Sequence, residues 1–164
     1  MSATVNAVFY TEAHRITGSV YLRERLNETL NDPLTDYLEL TNVLVSKLVD
    51  PTHRQVQWPT SAVPKSAITL VTLDQAEHES SATRADKVTK KSGTQIGCVA
   101  SSIEVYGTAH LNFEANARTI LSQQLRSFFP VTDATLLMPT VEDTRLETGL
   151  VFVNRDMVRA FSLL

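Results

Sequence analysis

The sequence predicts a mainly β protein with two helices, an α+β chain of two similar units. Each unit runs strand, helix, strands, and is expected to form a small curled sheet or barrel, the pair related by a pseudo-twofold axis. Three observations predict this. Apolar and polar residues alternate through most blocks, the signature of strands with one buried face. A helical period intervenes only after the opening strand of each half. The blocks also recur in the same order, at offsets of 89 to 91 residues, as internal repeats do.

The recurrence is read block by block. HRITGSVYL (14–22) falls on IEVYGTAHL (103–111), bringing Gly18 onto Gly107, Ile16 onto Val105 and Leu22 onto Leu111. LELTNVLV (38–45) falls on FPVTDATL (129–136), so that Leu40-Thr41-Asn42 meets Val131-Thr132-Asp133. VPKSAITLVTL (63–73) falls on VNRDMVRAFSL (153–163), with Lys65 on Arg155, Ile68 on Val158 and Leu73 on Leu163.

The opening strands are expected over 5–22 and 96–111. Both are long, and glycine within a strand marks a bulge or a close backbone approach, so bends are expected at Gly18 and Gly107. RERLNETLND then predicts a short helix with Leu26 and Leu30 on one face. Pro33 ends it by disfavouring helical dihedrals at Asp32. In the second half NFEANARTILSQQLRSF predicts a longer helix, capped by Asn112 with Glu114 in its first turn, its apolar face carrying Phe113, Ala117, Ile120, Leu121 and Phe128. Further strands are expected over 38–48, 55–58 and 66–73, and over 131–138, 145–153 and 157–163, separated by Asp-Pro, Trp-Pro, Glu-Asp and Asn-Arg-Asp turns.

Between the halves, DQAEHESSATRADKVTKKSGTQ (74–95) is polar and ends in Ser-Gly, the composition of a linker or exposed excursion. The expected organisation is therefore a first unit over 1–73, a linker over 74–95 and a second unit over 96–164. A unit this small buries little surface alone. Two packed together can share a core or continue one sheet into another, and unduplicated relatives would be expected to form homodimers through an isologous interface; for this chain a homo-oligomer is an open option.

Composition narrows the partners. The chain has 164 residues, a net charge of −3 and 43% hydrophobic residues. Holding a nucleic-acid backbone calls for a basic face, which this charge balance disfavours. No apolar run approaches the length of a membrane span, and Met1 to Arg15 lacks the pattern of a signal peptide. Cys98 is the lone cysteine, which suits a reducing, cytoplasmic setting.

The pattern hRItGsvyL…RLnetLN…yLeLTNvlV…VpKsaItlV, from His14 to Val71, resembles a small bacterial family of unknown function. Its members join an opening strand and short helix to an Sm-like β-barrel. Arg25-Leu26 and Leu30-Asn31 stand at the family's RL…LN segment, and Leu40-Thr41-Asn42 at its LTn step. The second half departs there, with Asn116-Ala117 and Leu121-Ser122, while Thr132-Asp133 is kept. The resemblance implies an Sm-like fold, and no catalytic residues or cofactor.

Few residues point to chemistry. His14, His53, His78 and His110 are scattered without zinc-ligand spacing, and His14 and His110 read as strand-surface residues. Cys98, in QIGCVAS, has no base or positive field nearby and reads as a buried apolar residue. The acidic pairs Glu77/Glu79 and Glu142/Asp143 fall in linker and turn. No phosphate-binding or dinucleotide glycine motif occurs. Catalytic, cofactor and metal sites are therefore not assigned.

The matched polar pairs Thr41-Asn42 and Thr132-Asp133 are candidates for shaping turns, or less readily for contacting a ligand. Arg23 and Arg25 beside Tyr21, and Arg54 near Trp58, are the basic-aromatic groupings that single-stranded RNA would use. The expected function is a non-enzymatic module that binds a protein partner or assembles. The alternatives are Sm-like RNA binding, and a small-ligand protein or enzyme working in a cleft between the repeats.

Overall fold

In a computed structural model, described here for residues 3–73, 92–111, 116–140 and 142–164, the chain forms one ten-stranded antiparallel sheet. The first half supplies β1 (Ala3–Tyr10), β2 (His14–Leu22), helix α1 (Leu26–Asn31), β3 (Tyr37–Lys47), β4 (Val56–Pro64) and β5 (Leu70–Leu73). The second supplies β6 (Ser92–Ala100), β7 (Ile103–Leu111), helix α2 (Ala117–Thr119), β8 (Phe128–Leu137), β9 (Arg145–Asn154) and β10 (Val158–Leu163). The strand order is β10-β6-β7-β8-β9-β5-β1-β2-β3-β4.

This corrects the expected architecture. The halves are not two Sm-like barrels or separate curled sheets of strand–helix–strands form, and the sheet does not close. It runs through both halves and, among the described residues, ends at two edges, β10 and β4. Nor does the seam between the halves join like edges, as the simplest twofold pairing would. It sets β5 against β9, in the register Leu70↔Val153, Val71↔Phe152, Thr72↔Val151. The reason is legible in burial. Every residue of β5 is buried, as are Leu150 to Asn154 of β9. Strands buried on both faces belong inside a sheet, not at its rim.

Successive side chains of the central strands feed two cores on opposite faces. Ala7, Phe9, Val71, Leu150 and Phe152 enter one cluster, with Leu26, Leu30 and Leu40 of the first half. Tyr10, Leu70, Val151 and Val153 enter the other, with Ile96, Val105 and Leu136 of the second. Phe128, at the start of β8, is 3% exposed and sits in the first half's core. Each half therefore completes the core of the other.

The two opening strands are hairpins rather than single bent strands. Thr11 to Ala13 turn the chain from β1 into β2, where the Thr11 N–H donates to the His14 carbonyl at 2.9 Å. Ser101, at φ 51°, lies in the corresponding turn between β6 and β7. The bends predicted at the glycines are present as bulges: β2–β3 pairing shifts between Thr17 and Ser19, and β7–β8 pairing between Tyr106 and Thr108. The extra residue opposite each glycine adopts a left-handed conformation, Asn42 at φ 53° and Asp133 at φ 48°, which Asn and Asp tolerate better than other residues with a Cβ.

Helix α1 buries Leu26 and Leu30, and Asp32 is extended before Pro33, as expected. The second helix is much shorter than the sequence pattern predicts. Asn116 caps it, its Oδ1 accepting from the Thr119 N–H at 2.9 Å, and the expected cap Asn112, with Phe113 and Glu114, lies outside the described residues. A π turn over Ile120–Gln124 follows, closed by Leu125 N–H to the Ile120 carbonyl at 3.1 Å. The helical spacing that includes Phe128 misled because that side chain starts a strand and faces the other half. Of the expected linker, 74–91 lies outside the described residues, while Ser92–Gln95 begin β6.

Pairing registers in the two halves correspond throughout. Ala7↔Gly18 matches Ile96↔Gly107, Thr41↔Thr60 matches Thr132↔Leu150, and Val71↔Phe9 matches Phe161↔Cys98. The strand sequence β5-β1-β2-β3-β4 of the first half repeats in the same sense as β10-β6-β7-β8-β9.

Three substitutions check this arrangement. A Cβ at Gly107 would stand 2.7 Å from Val131 Cγ1 and 2.8 Å from the Thr132 carbonyl oxygen, whereas at Gly18 the nearest atoms are at 3.2 and 3.3 Å. Gly107→Ala is expected to destabilise by about 1–3 kcal/mol and Gly18→Ala by less, as read from urea unfolding. Asn31 latches the seam from α1: its Nδ2 donates to the Phe128 carbonyl at 3.0 Å and its Oδ1 accepts from the Phe128 N–H at 2.8 Å. Asn31→Ala strands both groups and should cost about 1–3 kcal/mol in the same measurement.

Candidate functional site

The residues singled out in the sequence do not converge. Thr41 and Asn42 lie exposed on β3, while Thr132 and Asp133 lie on β8, with β9, β5, β1 and β2 between them. Each pair stands at a bulge. Thr132 is 7% exposed and donates to the Thr108 carbonyl at 3.3 Å. His110 Nε2 lies 2.9 Å from the same hydroxyl. His110 is half-buried on β7 and bonded to this hydroxyl. Arg23 and Arg25 are both exposed. Arg25 precedes α1, its carbonyl accepting from the Thr29 N–H at 3.0 Å.

Cys98 is 4% exposed, and burial pushes its thiol up to about 12, because a thiolate loses its hydration there. Among the described residues no three His, Cys, Asp or Glu side chains gather as a metal site would need. No helix among them is long and apolar enough to cross a membrane.

The features that stand out are the two edges. At the β4 edge, a pocket of about 310 Å³ is lined by Thr35, Asp36, Tyr37, Pro64, Lys65 and Ser66. Lys65 is only 8% exposed. Its ammonium donates to the Thr29 carbonyl at 2.6 Å, the Asp32 carbonyl at 3.1 Å and Thr35 Oγ1 at 2.7 Å, tying the end of α1 to the start of β3. Desolvation lowers its pKa, and the nearby Asp32 and Asp36 carboxylates oppose that shift. Arg155 acts likewise in the second half, donating to the Leu125 carbonyl at 2.8 Å. With every ammonium proton engaged, Lys65 braces the wall of the pocket. Tyr37 projects beside it, 58% exposed.

At the β10 edge, Leu121, Val158, Phe161 and Leu163 pack against the second core and are only partly buried. Their counterparts Leu30, Ile68, Val71 and Leu73 are 2%, 0%, 0% and 6% exposed. The difference is the seam: Phe128, Leu150 and Phe152 belong to the core that covers the first set, and among the described residues no strand lies beyond the β10 edge. Leu164, next in the chain, is 71% exposed. Sequence reasoning missed both edges. Lys65 and the LN step were visible as pattern, but their meaning depends on which strands lie at the rim.

Comparison of the chain with family models, with curated proteins and with solved structures returned no match. The site is therefore interpreted from its own geometry.

Cys98 gives a direct check of the buried-thiol assignment. A thiol reagent at pH 8 should leave the native protein essentially unlabelled and modify one equivalent once guanidinium unfolds it. Rapid labelling of the native state would contradict the assignment.

Proposed function

We propose that this chain is a non-enzymatic partner-binding or assembly module that docks protein along the open edges of its sheet. The observation that carries the reading is the partly uncovered apolar face of Leu121, Val158, Phe161 and Leu163 beside β10, which among the described residues is paired on one side only. An edge strand offers a row of free backbone donors and acceptors, and edge addition is a general mode of protein recognition. The displaced pKa of Cys98 adds support, since a thiol held near 12 is a poor nucleophile at neutral pH.

The matched registers of the two halves support descent from one duplicated unit, akin to that of the bacterial family whose RL…LN and LTn pattern the first half carries. A cytoplasmic setting fits the lone, unpaired Cys98.

Site-specific photocrosslinking in cells tests the docking reading. A benzophenone side chain at Tyr37 or Leu164 should give discrete adducts with protein, and one at Val49, also exposed but in the turn after β3, should not. Silence at positions 37 and 164, or the same adducts from 49, would overturn it.

A further inference from the structure

Resting on that docking reading, we propose that the occupant is a second copy of this chain, joined head to tail, the β4 edge of one molecule pairing with the β10 edge of the next. The internal seam is the precedent. It joins β9, the counterpart of β4, to β5, the counterpart of β10. Among the described residues the chain therefore carries one such joint and leaves its two complementary halves open at opposite ends of the sheet. A joint between unlike surfaces leaves the same pair of surfaces free on the joined product, so it propagates into a string of copies or closes as a ring.

The seam's register sets that of the proposed joint. Carrying Leu70↔Val153, Val71↔Phe152 and Thr72↔Val151 across by the repeat offset gives Ala160↔Val63, Phe161↔Ala62 and Ser162↔Ser61. The Asn154 N–H points across the seam to the Thr69 carbonyl at 2.9 Å. Strand alternation then directs the N–H groups of Thr60 and Ala62 outward from β4, while Pro59, of opposite parity, directs its missing donor towards β3.

The surfaces correspond as well as the strands. Phe128 enters the core beside Leu30 and Val71. Its counterpart Tyr37, exposed at the β4 edge, would cover Leu121 and Phe161 of the next copy. The pocket beside Tyr37 also has an equivalent. In the second half that position holds Phe128 and Asn154, and the first half fills it: Asn31 pairs with the Phe128 backbone, and Asn154 Nδ2 reaches the Ile68 carbonyl at 2.8 Å. The open pocket of about 310 Å³ is thus shaped to take the α2 turn and Val158 of a neighbour.

The joint is weaker than the seam, and four residues say why. Thr60 and Ala62 replace the buried Leu150 and Phe152, Pro64 replaces the N–H and amide of Asn154, and Ser122 replaces the latch Asn31. Less apolar area and fewer hydrogen bonds leave an association that is reversible and concentration-dependent.

The test uses the purified 164-residue chain with one added cysteine at either edge, Ser61→Cys or Ser162→Cys, the native Cys98 being buried. Oxidising a mixture of the two single variants should give a disulfide-linked dimer, either variant alone should not, and the double variant should give a ladder of multiples. Tyr37→Asp, at an exposed position, should abolish the crosslink while leaving the circular dichroism spectrum unchanged. In sedimentation velocity the unmodified chain should gain mass with concentration in steps of 18.2 kDa. Equal crosslinking by one variant alone would show like edges pairing and overturn the head-to-tail joint. No crosslink in the mixture, with a monomer at all concentrations, would overturn the second copy as occupant. If the cellular probes at 37 and 164 then still capture another polypeptide, the docking reading stands without it; if they are silent too, both fall.

Discussion

The fold depends on the pairing of β5 with β9. Only three residue pairs make the ladder, yet it turns two incomplete β-layers into one continuous sheet. Because side chains alternate across a strand, placing these strands at the centre sends Val71 and Phe152 to one core and Leu70 and Val153 to the other. Asn31 and Asn154 hold the seam with hydrogen bonds to backbone groups that would otherwise be buried unpaired. Neither half has a complete core without the other, which follows from how little surface a unit of this size can bury.

Within each half, a second constraint bends the sheet. The bulges at Asn42 and Asp133 add a residue opposite Gly18 and Gly107, and a bulge bends its strand and increases local twist. The absent Cβ of Gly107 is what lets the backbone of β8 approach, since the Thr132 carbonyl lies where a side chain would begin. The basic residue after β4 or β9 then anchors the helical turn: Lys65 on the end of α1, Arg155 on the carbonyl of Leu125. Chemically different residues perform the same task at matching places.

Much of this was legible in the sequence, for local reasons. Alternation placed most strands, Leu26 and Leu30 marked the buried face of α1, Pro33 marked its end, and the glycines marked the bends. The matched pairs Thr41-Asn42 and Thr132-Asp133, read as side chains that bond local backbone to shape a turn, stand at strand bulges, where Asn42 and Asp133 are left-handed. What misled was also local. A hairpin with a short turn and a long bent strand share one alternating pattern, so 5–22 and 96–111 each looked continuous. Phe128 kept helical spacing while starting a strand, because residue spacing does not reveal which core a side chain enters. The edges, where the candidate surface lies, had no sequence signal, since an edge is a position in a sheet and not a property of a residue.

By itself, then, the sequence determined the strand-rich composition, the repeated order of blocks, the bending glycines and the buried lone cysteine, because each follows from side-chain chemistry or spacing within a few residues. Only the tertiary structure decided that the halves share one open sheet, that unlike edges meet at the seam, and that β4 and β10 are the outermost strands among the described residues. Those outcomes rest on pairings between strands far apart in the chain. They are set by which buried faces can cover one another, a comparison that exists only once the chain has folded.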